Sequence, residues 1–161
     1  YLYETVLAAR ALLEKTPCDS NPVETEAAKE RFIAAMDDDF NSAAALALVA
    51  DAARRLNDAL TMKGKGTQKA EAVATALEML MDLGQVLGLC QRDPAEVLSG
   101  IRDRKLARNG LDRSLIEARV ADRIAARAAK DFAKADALRA ELSGMGIVLM
   151  DGPEGTRWKV A

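Results

Sequence analysis

The sequence contains no histidine, and its two cysteines, Cys18 and Cys90, lie far apart. The ligand spacings of zinc sites and the CxxC motif of redox proteins are therefore missing. Acyl transfer and metal-assisted hydrolysis also lack their usual residues, because neither thiol has an obvious base beside it. We predict no catalytic centre, no metal site and no bound cofactor in this chain, and the cysteine usage fits the reducing cytoplasm.

Long hydrophobic runs are absent too, since no segment approaches the ~20 apolar residues that cross a bilayer. The first residues lack the basic start and the long apolar middle of a signal peptide. We therefore predict a protein without a membrane partner. The chain opens at Tyr1, inside a helical pattern and without an initiating methionine, and we interpret it as part of a longer protein.

Aromatic residues are scarce, at 4% of the 161 residues, whereas hydrophobic residues as a whole make up 50%. Such a chain can bury a core, and its abundant alanine favours closely packed helices over a β-sandwich. We predict a mainly α protein: a helical bundle followed by a small α+β domain, which consists of a helical hairpin plus a β-hairpin.

Residues 1–89 contain four segments with apolar residues at helical spacing, which predict the bundle. Asn41 or Ser42 can cap the third helix, because a short side-chain oxygen accepts hydrogen bonds from the first turn. The expected buried face of that helix is Leu46, Val49, Ala53, Leu56 and Leu60. Three consecutive acids, at residues 37–39, precede it. Their spacing does not fit a calcium loop, so we interpret them as a helix end.

Residues 90–111 break the apolar period, and their composition predicts a linker between two domains. The residues that interrupt the pattern are Pro94, Gly100, Asn109 and Gly110.

Residues 112–161 predict the α+β domain. One helix is marked by Ile116, Val120 and Ile124, and a second helix, capped by Asp131, by Ala135, Leu138, Leu142 and Met145. The pattern then alternates at residues 147–150 and 156–160, on either side of the turn sequence Asp-Gly-Pro-Glu-Gly at residues 151–155. This pattern predicts a β-hairpin, and we expect Trp158 to pack the hairpin against the helices.

Positive charge is concentrated in residues 101–140, which hold 11 Lys or Arg against 6 Asp or Glu. A helix in this segment would carry a basic strip, which can neutralise RNA phosphates. The strip consists of Arg119, Arg123, Arg127 and Lys130. The alternative is a solvated helix face that is paired with Glu117 and Asp122.

Three further side chains are candidates for contacts with RNA bases. Phe132, in the first turn of a helix, can stack on an unpaired base, or it can fasten two helices together. Asp136 and Asp151 can accept the N–H donors of exposed base edges. Alternatively, Asp136 is an ordinary surface or ion-paired residue, and Asp151 bonds the backbone of its own turn.

Three strings of this sequence closely resemble the carboxyl-terminal part of cysteinyl-tRNA synthetases. They are AMDDDFNSAAAL at residues 35–46, KDFAKAD at 130–136 and GIVLMDGPEGTRW at 146–158. By this resemblance, residues 1–89 form the helical bundle called the DALR domain, which lies beneath the catalytic domain and along the tRNA stem. Residues 112–161 form the small C-terminal domain that binds the anticodon of the cysteine tRNA.

The resemblance also implies roles for individual residues. The positions that match the family's anticodon-binding residues are Arg127, Phe132, Asp136 and Asp151. We assign contacts with the tRNA backbone to Arg119, Arg123, Lys130 and Lys134. Many relatives have tryptophan where this chain has Phe132, so its stacking on a base is expected to differ from theirs.

The family's whole enzymes are class I ligases that attach cysteine to its tRNA and use ATP, magnesium and zinc. Their HIGH and KMSKS signatures and their zinc ligands are absent from this sequence. We therefore expect a missing N-terminal catalytic domain as a partner, and no amino-acid activation by this chain alone. The alternative function is a helical protein-interaction module without RNA specificity, which would show no preference for tRNA.

Overall fold

The computed structural model describes residues 1–64, 66–152 and 155–161. The helices are α1 (Leu2–Lys15), α2 (Pro22–Asp37), α3 (Ser42–Thr61), α4 (Thr67–Val86), α5 (Pro94–Arg108), α6 (Arg113–Ala128) and α7 (Phe132–Gly144). Two strands follow, β1 (Ile147–Gly152) and β2 (Gly155–Val160). The predicted mainly α fold, with a β-hairpin at the end, is confirmed.

The chain forms two compact units, which are residues Tyr1–Leu98 (unit 1) and Ser99–Ala161 (unit 2). The division falls inside α5, within the segment 90–111 that we interpreted as a linker. Residues 94–108 of this segment are helical, which its broken apolar pattern did not predict. Pro94 is compatible with a helix start because its missing N–H would be unpaired there anyway, and Asp93 accepts a hydrogen bond from the Glu96 amide at 3.0 Å.

Unit 1 is built from α1 to α4 around a core of small and aliphatic side chains. Its fully buried side chains include Val6, Leu56, Val73 and Leu80. Alanines on α3 and α4 occupy many of the remaining core positions, which lets the helix backbones approach closely. The packing explains how a chain with so few aromatic residues still closes a core.

Side-chain caps begin α2 and α3. The Asn21 side chain accepts hydrogen bonds from the amides of Val23 and Glu24, and Pro22 occupies the first turn of α2. The Asn41 side chain accepts from the Ala44 amide at 3.1 Å and begins α3. The sequence predicted Asn41 or Ser42 as this cap, and in the structure the cap is Asn41.

The acidic triplet ends α2, as predicted. Asp37 is the last residue of the helix, and the Asn41 N–H reaches back to the Ala35 carbonyl at 3.1 Å. Asp39 and Phe40 take positive φ angles of 52° and 54°, in the left-handed region that reverses the chain after many helices.

The predicted core face of α3 is wrong at Leu46, whose side chain is 51% exposed. Ala45, Ala52 and Ala59 are buried beside Val49 and Leu56 instead. Alanine gave a weak apolar signal in the sequence, although a close helix crossing favours it over the larger leucine.

Unit 2 is a helical hairpin, α6 and α7, that packs with the later part of α5 and with the β-hairpin. The core consists of Leu106, Ile116, Val120, Leu142, Ile147 and Val160, and Trp158 packs against it as predicted. Strand β1 pairs antiparallel with β2, so that Ile147 lies opposite Val160 and Leu149 opposite Trp158. The predicted turn at 151–155 falls partly on Pro153 and Glu154, which lie outside the described residues.

Helix α5 contributes two polar contacts to this unit. The Arg102 guanidinium lies 4.8 Å from the centre of the Trp158 ring, a cation–π distance. The Lys105 ammonium donates to the carbonyls of Val160 and Ala161 at 3.2 and 3.3 Å. Both contacts hold the end of β2 in place.

Candidate functional site

The candidate site lies in unit 2 and is formed by the later turns of α6, the first turns of α7 and the end of β1. The turn between the helices is short: the Asp131 N–H donates to the Ala126 carbonyl at 2.9 Å, and Lys130 takes a positive φ of 60°. Asp131 then caps α7 by accepting from the Lys134 amide at 3.1 Å, as predicted. Phe132 is therefore the first residue of α7.

Asp151, near the end of β1, forms a bidentate ion pair with Arg123 of α6. Arg123 Nη1 donates to Asp151 Oδ1 at 3.1 Å, and Arg123 Nη2 donates to Oδ2 at 2.8 Å. Arg123 is only 4% exposed, whereas the Asp151 side chain is partly exposed. A planar guanidinium fixes a carboxylate in both distance and orientation through such paired hydrogen bonds.

Two further donors complete the surroundings of the Asp151 carboxylate. The Thr156 hydroxyl donates to Oδ1 at 2.7 Å, and Arg127 Nη1 donates to Oδ2 at 3.1 Å. These contacts hold the pKa of Asp151 well below its usual range, with the Arg123 hydrogen bonds as the largest cause and the Thr156 bond as the next. Asp151 is consequently an anion at any physiological pH.

The charge of Arg123 is stabilised in turn. Its hydrogen bonds to Asp151 raise the pKa of Arg123, and the negative charge of Asp136 acts in the same direction. Asp136 is an exposed residue of α7. Its carboxylate therefore lies within electrostatic range of the Arg123–Asp151 pair.

Phe132 is 62% exposed, so the interpretation that it fastens two helices together is not supported. Its ring stands at the surface of the first turn of α7, next to the turn that joins the two helices. An exposed aromatic ring beside charged groups can stack on a planar ligand.

The predicted basic strip is interrupted in the structure. Arg123 belongs to the buried side of α6, whereas Ile124, one of the apolar residues that marked this helix in the sequence, is 47% exposed. The hydrogen bonds to Asp151 hold Arg123 on this inward side. We therefore correct the assignment of Arg123 as a contact to the tRNA backbone. Arg127 remains half exposed, and Lys130 and Lys134 are exposed.

Arg119, one turn earlier, lies against α7. Its Nε is 3.0 Å from Glu141 Oε1, without the alignment of a hydrogen bond. The expected partner Glu117 pairs with Arg113 instead, at 2.7 Å. Of the cations assigned to the candidate site, Lys130 and Lys134 are exposed, Arg127 is half exposed, and Arg119 is partly covered by α7.

Thr156 was not predicted as a member of this site. It lies directly opposite Asp151 in the hairpin register, so its hydroxyl meets the carboxylate across the two strands. The alternation of β2 together with the length of the turn would have been enough to pair these two positions.

Two family models match the chain, and both fall within the compact units. A DALR domain matches residues 31–91, and a cysteinyl-tRNA ligase anticodon-binding domain matches residues 115–158. The second match covers α6, α7 and the hairpin, including the Arg123–Asp151 pair. The chain therefore contains a DALR domain and the anticodon-binding domain of cysteinyl-tRNA ligases.

Similar proteins come from several bacteria. A cysteine–tRNA ligase of Anaeromyxobacter sp. (strain K) is 46% identical over 160 residues, which are 99% of this chain and 32% of that protein. Those of Syntrophotalea carbinolica and Chromohalobacter salexigens are 43% and 48% identical, over 98% and 82% of this chain and 33% and 26% of theirs. The chain spans about a third of the length of the curated relatives it matches.

The part of the chain that the structure describes contains no group of three or more Cys, Asp or Glu side chains arranged to hold a metal ion. Cys90 is buried, and burial raises the pKa of its thiol. Within the described ranges, no helix has the length and apolar content needed to cross a membrane.

Proposed function

We propose that this chain is the tRNA-binding, anticodon-recognition portion of a cysteine–tRNA ligase. The observation that carries the proposal is the coincidence, in one small unit, of the family match at residues 115–158 with an exposed ring and a fixed carboxylate. Phe132 supplies the ring and Asp151 the carboxylate. Single-stranded RNA loops are read by these two kinds of group, through stacking and through hydrogen bonds to base edges.

The residues divide into two roles under this proposal. Phe132 stacks on an unpaired anticodon base, while Asp136 and Asp151 accept N–H donors from the Watson–Crick edges of bases. Arg127 contributes to the same anticodon surface from α6. Guanine and cytosine both present such donors, which cations cannot read.

The exposed Lys130 and Lys134 and the partly exposed Arg119 supply attraction to the tRNA backbone. This attraction is independent of sequence and weakens as salt is added, because binding releases counterions from the phosphates. The two roles are therefore separable by experiment.

The whole enzyme is proposed to attach cysteine to its tRNA in the cytoplasm, using ATP, magnesium and zinc. The part of the chain that the structure describes does not fit a zinc site, since it offers neither histidine nor a cluster of metal ligands, and the sequence has no HIGH or KMSKS signature for ATP. We place that chemistry in an N-terminal catalytic domain, which is the partner that unit 1 would pack beneath. This chain contributes tRNA identity to the reaction.

The test is binding of this chain to cysteine tRNA and to the same tRNA with its anticodon replaced, at two salt concentrations. We expect a preference for the natural anticodon that survives the added salt, because base contacts do not depend on counterion release. Equal binding of the two tRNAs, or no binding, would contradict the proposal and favour a generic RNA surface or a protein-interaction module.

A pair of substitutions separates the two roles. Asp151→Ala should relax the preference for the anticodon, whereas Arg119→Ala should weaken binding of both tRNAs by a similar factor. Equal effects of the two substitutions on the preference would refute the division of roles.

A further inference from the structure

The Asp151 carboxylate has no free acceptor position in this structure. Its Oδ1 accepts from Arg123 Nη1 and from the Thr156 hydroxyl, and its Oδ2 accepts from Arg123 Nη2 and from Arg127 Nη1. A carboxylate offers about four acceptor sites, two on each oxygen, so these four donors fill them. An RNA base that binds Asp151 must therefore replace one of the donors.

The three donor residues differ in how easily they leave. Arg123 is 4% exposed and holds both oxygens at once, so its departure would strand a buried guanidinium that cannot lose its charge. Thr156 is fixed by its place opposite Asp151 in the paired strands. Arg127 makes one contact with Asp151, at 3.1 Å, and is half exposed. Breaking this contact therefore costs the least free energy of the three.

We propose that Arg123 is a positioning residue that holds Asp151 for base recognition, and that Arg127 covers the carboxylate until an anticodon base takes its place. This inference rests on the proposed function and assigns different tasks to two arginines one turn apart on α6. Arg123 never touches the RNA. Arg127 leaves Oδ2 and turns toward the RNA, where a phosphate or a base face accepts its charge.

The exchange keeps the number of hydrogen bonds to Asp151 constant. The base N–H replaces Arg127 Nη1 on Oδ2, while Arg123 keeps both of its contacts and hence the direction of the remaining acceptor site. A base that presents an acceptor atom at that point cannot form this hydrogen bond, and the negative charge of Asp151 repels it. Discrimination between bases thus depends on Arg123 as much as on Asp151, although only Asp151 contacts the base.

The experiment uses the full chain and a set of anticodon stem–loop RNAs of the cysteine tRNA, with each anticodon position replaced in turn. Dissociation constants are measured for wild type, Asp151→Asn, Arg123→Lys, Arg127→Gln and the double variant of Arg123→Lys with Asp151→Asn. The position at which Asp151→Asn loses discrimination is the one that Asp151 reads. A well-placed base contact discriminates by roughly 5- to 150-fold.

We expect Arg123→Lys to lose discrimination at that same position and to keep it at the other two. Lysine retains the charge but cannot hold both oxygens in a fixed plane. The double variant should lose no more discrimination than either single variant, because the two residues act as one unit.

Arg127→Gln should weaken binding of all the RNAs by a similar factor and leave the ratios of their dissociation constants unchanged. The matched control is Arg113→Gln, on the same helix but paired with Asp103 and Glu117, which should change none of the ratios.

Guanidinium NMR signals of the wild-type protein give a second measurement that does not depend on the folding of any variant. Addition of the stem–loop should leave the Arg123 signals unchanged and should shift those of Arg127. The inference is overturned if Arg123→Lys keeps full discrimination or loses it equally at every position, if the double variant is additive, or if Arg127 stays on Asp151 in the complex. A wild-type chain that prefers no anticodon would overturn the proposed function itself, and this inference with it.

Discussion

The two units of this chain use their polar side chains differently. In unit 1, two of the less exposed contacts between elements join neutral groups: the Asn21 N–H donates to the Thr75 hydroxyl at 2.8 Å, and Thr5 pairs with Asn57 at 3.0 Å. The ion pair between Lys29 of α2 and Asp82 of α4, at 2.9 Å, is partly exposed on both sides. In unit 2, the corresponding place is taken by a buried charge, Arg123, held by Asp151. Neutral hydrogen bonds are enough to align helices. A buried ion pair must offset the free-energy cost of removing its charges from water, and such pairs often occur at functional sites.

The same contrast holds for exposed aromatic rings. Phe40 in unit 1 is 77% exposed and Phe132 in unit 2 is 62% exposed. Phe132 lies between Lys130 and Lys134 along the chain, and Phe40 follows the three acids at the end of α2. Exposure alone therefore does not separate the two rings, and the surrounding charge makes Phe132 the candidate for stacking on RNA.

The largest expected effect is on the stability of unit 1. Leu80→Ala removes a fully buried side chain from the core and should lower the free energy of unfolding by about 2–5 kcal/mol. Amide hydrogen exchange measures this loss separately in each unit. The control is Leu46→Ala, at the half-exposed position on α3, which should cost much less. An equally large cost at Leu46 would contradict the core described here.

The next largest effect is expected in unit 2. Asp151→Ala leaves the buried Arg123 charge without its partner and should cost about 2 kcal/mol, which is less than for a fully buried pair because Asp151 is partly exposed. Denaturant unfolding, monitored by the fluorescence of Trp158 in the same unit, measures this cost. Asp136→Ala, an exposed carboxylate on α7, is the control and should change stability little. A similar cost for both substitutions would show that the ion pair has no special part in the unit.

The aromatic rings give a matched pair across the two units. Phe132→Ala should weaken binding of an anticodon stem–loop by about 1–2 kcal/mol, because one base loses its stacking partner. Phe40→Ala removes an equally exposed ring from unit 1 and should leave that binding unchanged. Titration calorimetry with both variants checks this, and equal losses would remove the distinction between the rings.

The smallest effect is a dependence of stability on pH. The pKa of Asp151 is depressed in the folded state, so its contribution is fully present above the ordinary aspartate value of about 3.9 and is lost as the pH falls toward the folded value. The difference in unfolding free energy between wild type and Asp151→Asn should be constant from pH 7 to about pH 5 and should shrink below about pH 4. The change should be no more than about 1 kcal/mol, because water screens a partly exposed group. A difference that stays constant down to pH 3 would contradict the assigned contacts.

Local signals in the sequence predicted much of this fold. Asn41 and Asp131 could be identified as caps because each precedes a helical apolar period. A short polar side chain at that position accepts a hydrogen bond from the first turn of the helix. The β-hairpin followed from a change of period around a turn sequence. Each of these features depends on residues within a few positions of one another.

The errors arose where distant residues decide the outcome. Arg123 was placed on a solvent-facing strip because its spacing fitted Arg119 and Arg127, and its burial depends on Asp151, 28 residues later. The exposure of Ile124 follows from that inward turn. Helix α5 was missed because Gly100 and many charges weakened its pattern, although Leu106 lies in the core of unit 2.

The most direct test of this account is an NMR map of the full chain with an anticodon stem–loop of the cysteine tRNA. We predict that the largest amide shifts occur in unit 2, at Phe132, Asp136, Asp151 and their neighbours, and that replacement of the anticodon bases abolishes them. Shifts that are concentrated in unit 1, or that are the same for any stem–loop of equal charge, would contradict the claim that unit 2 reads the anticodon.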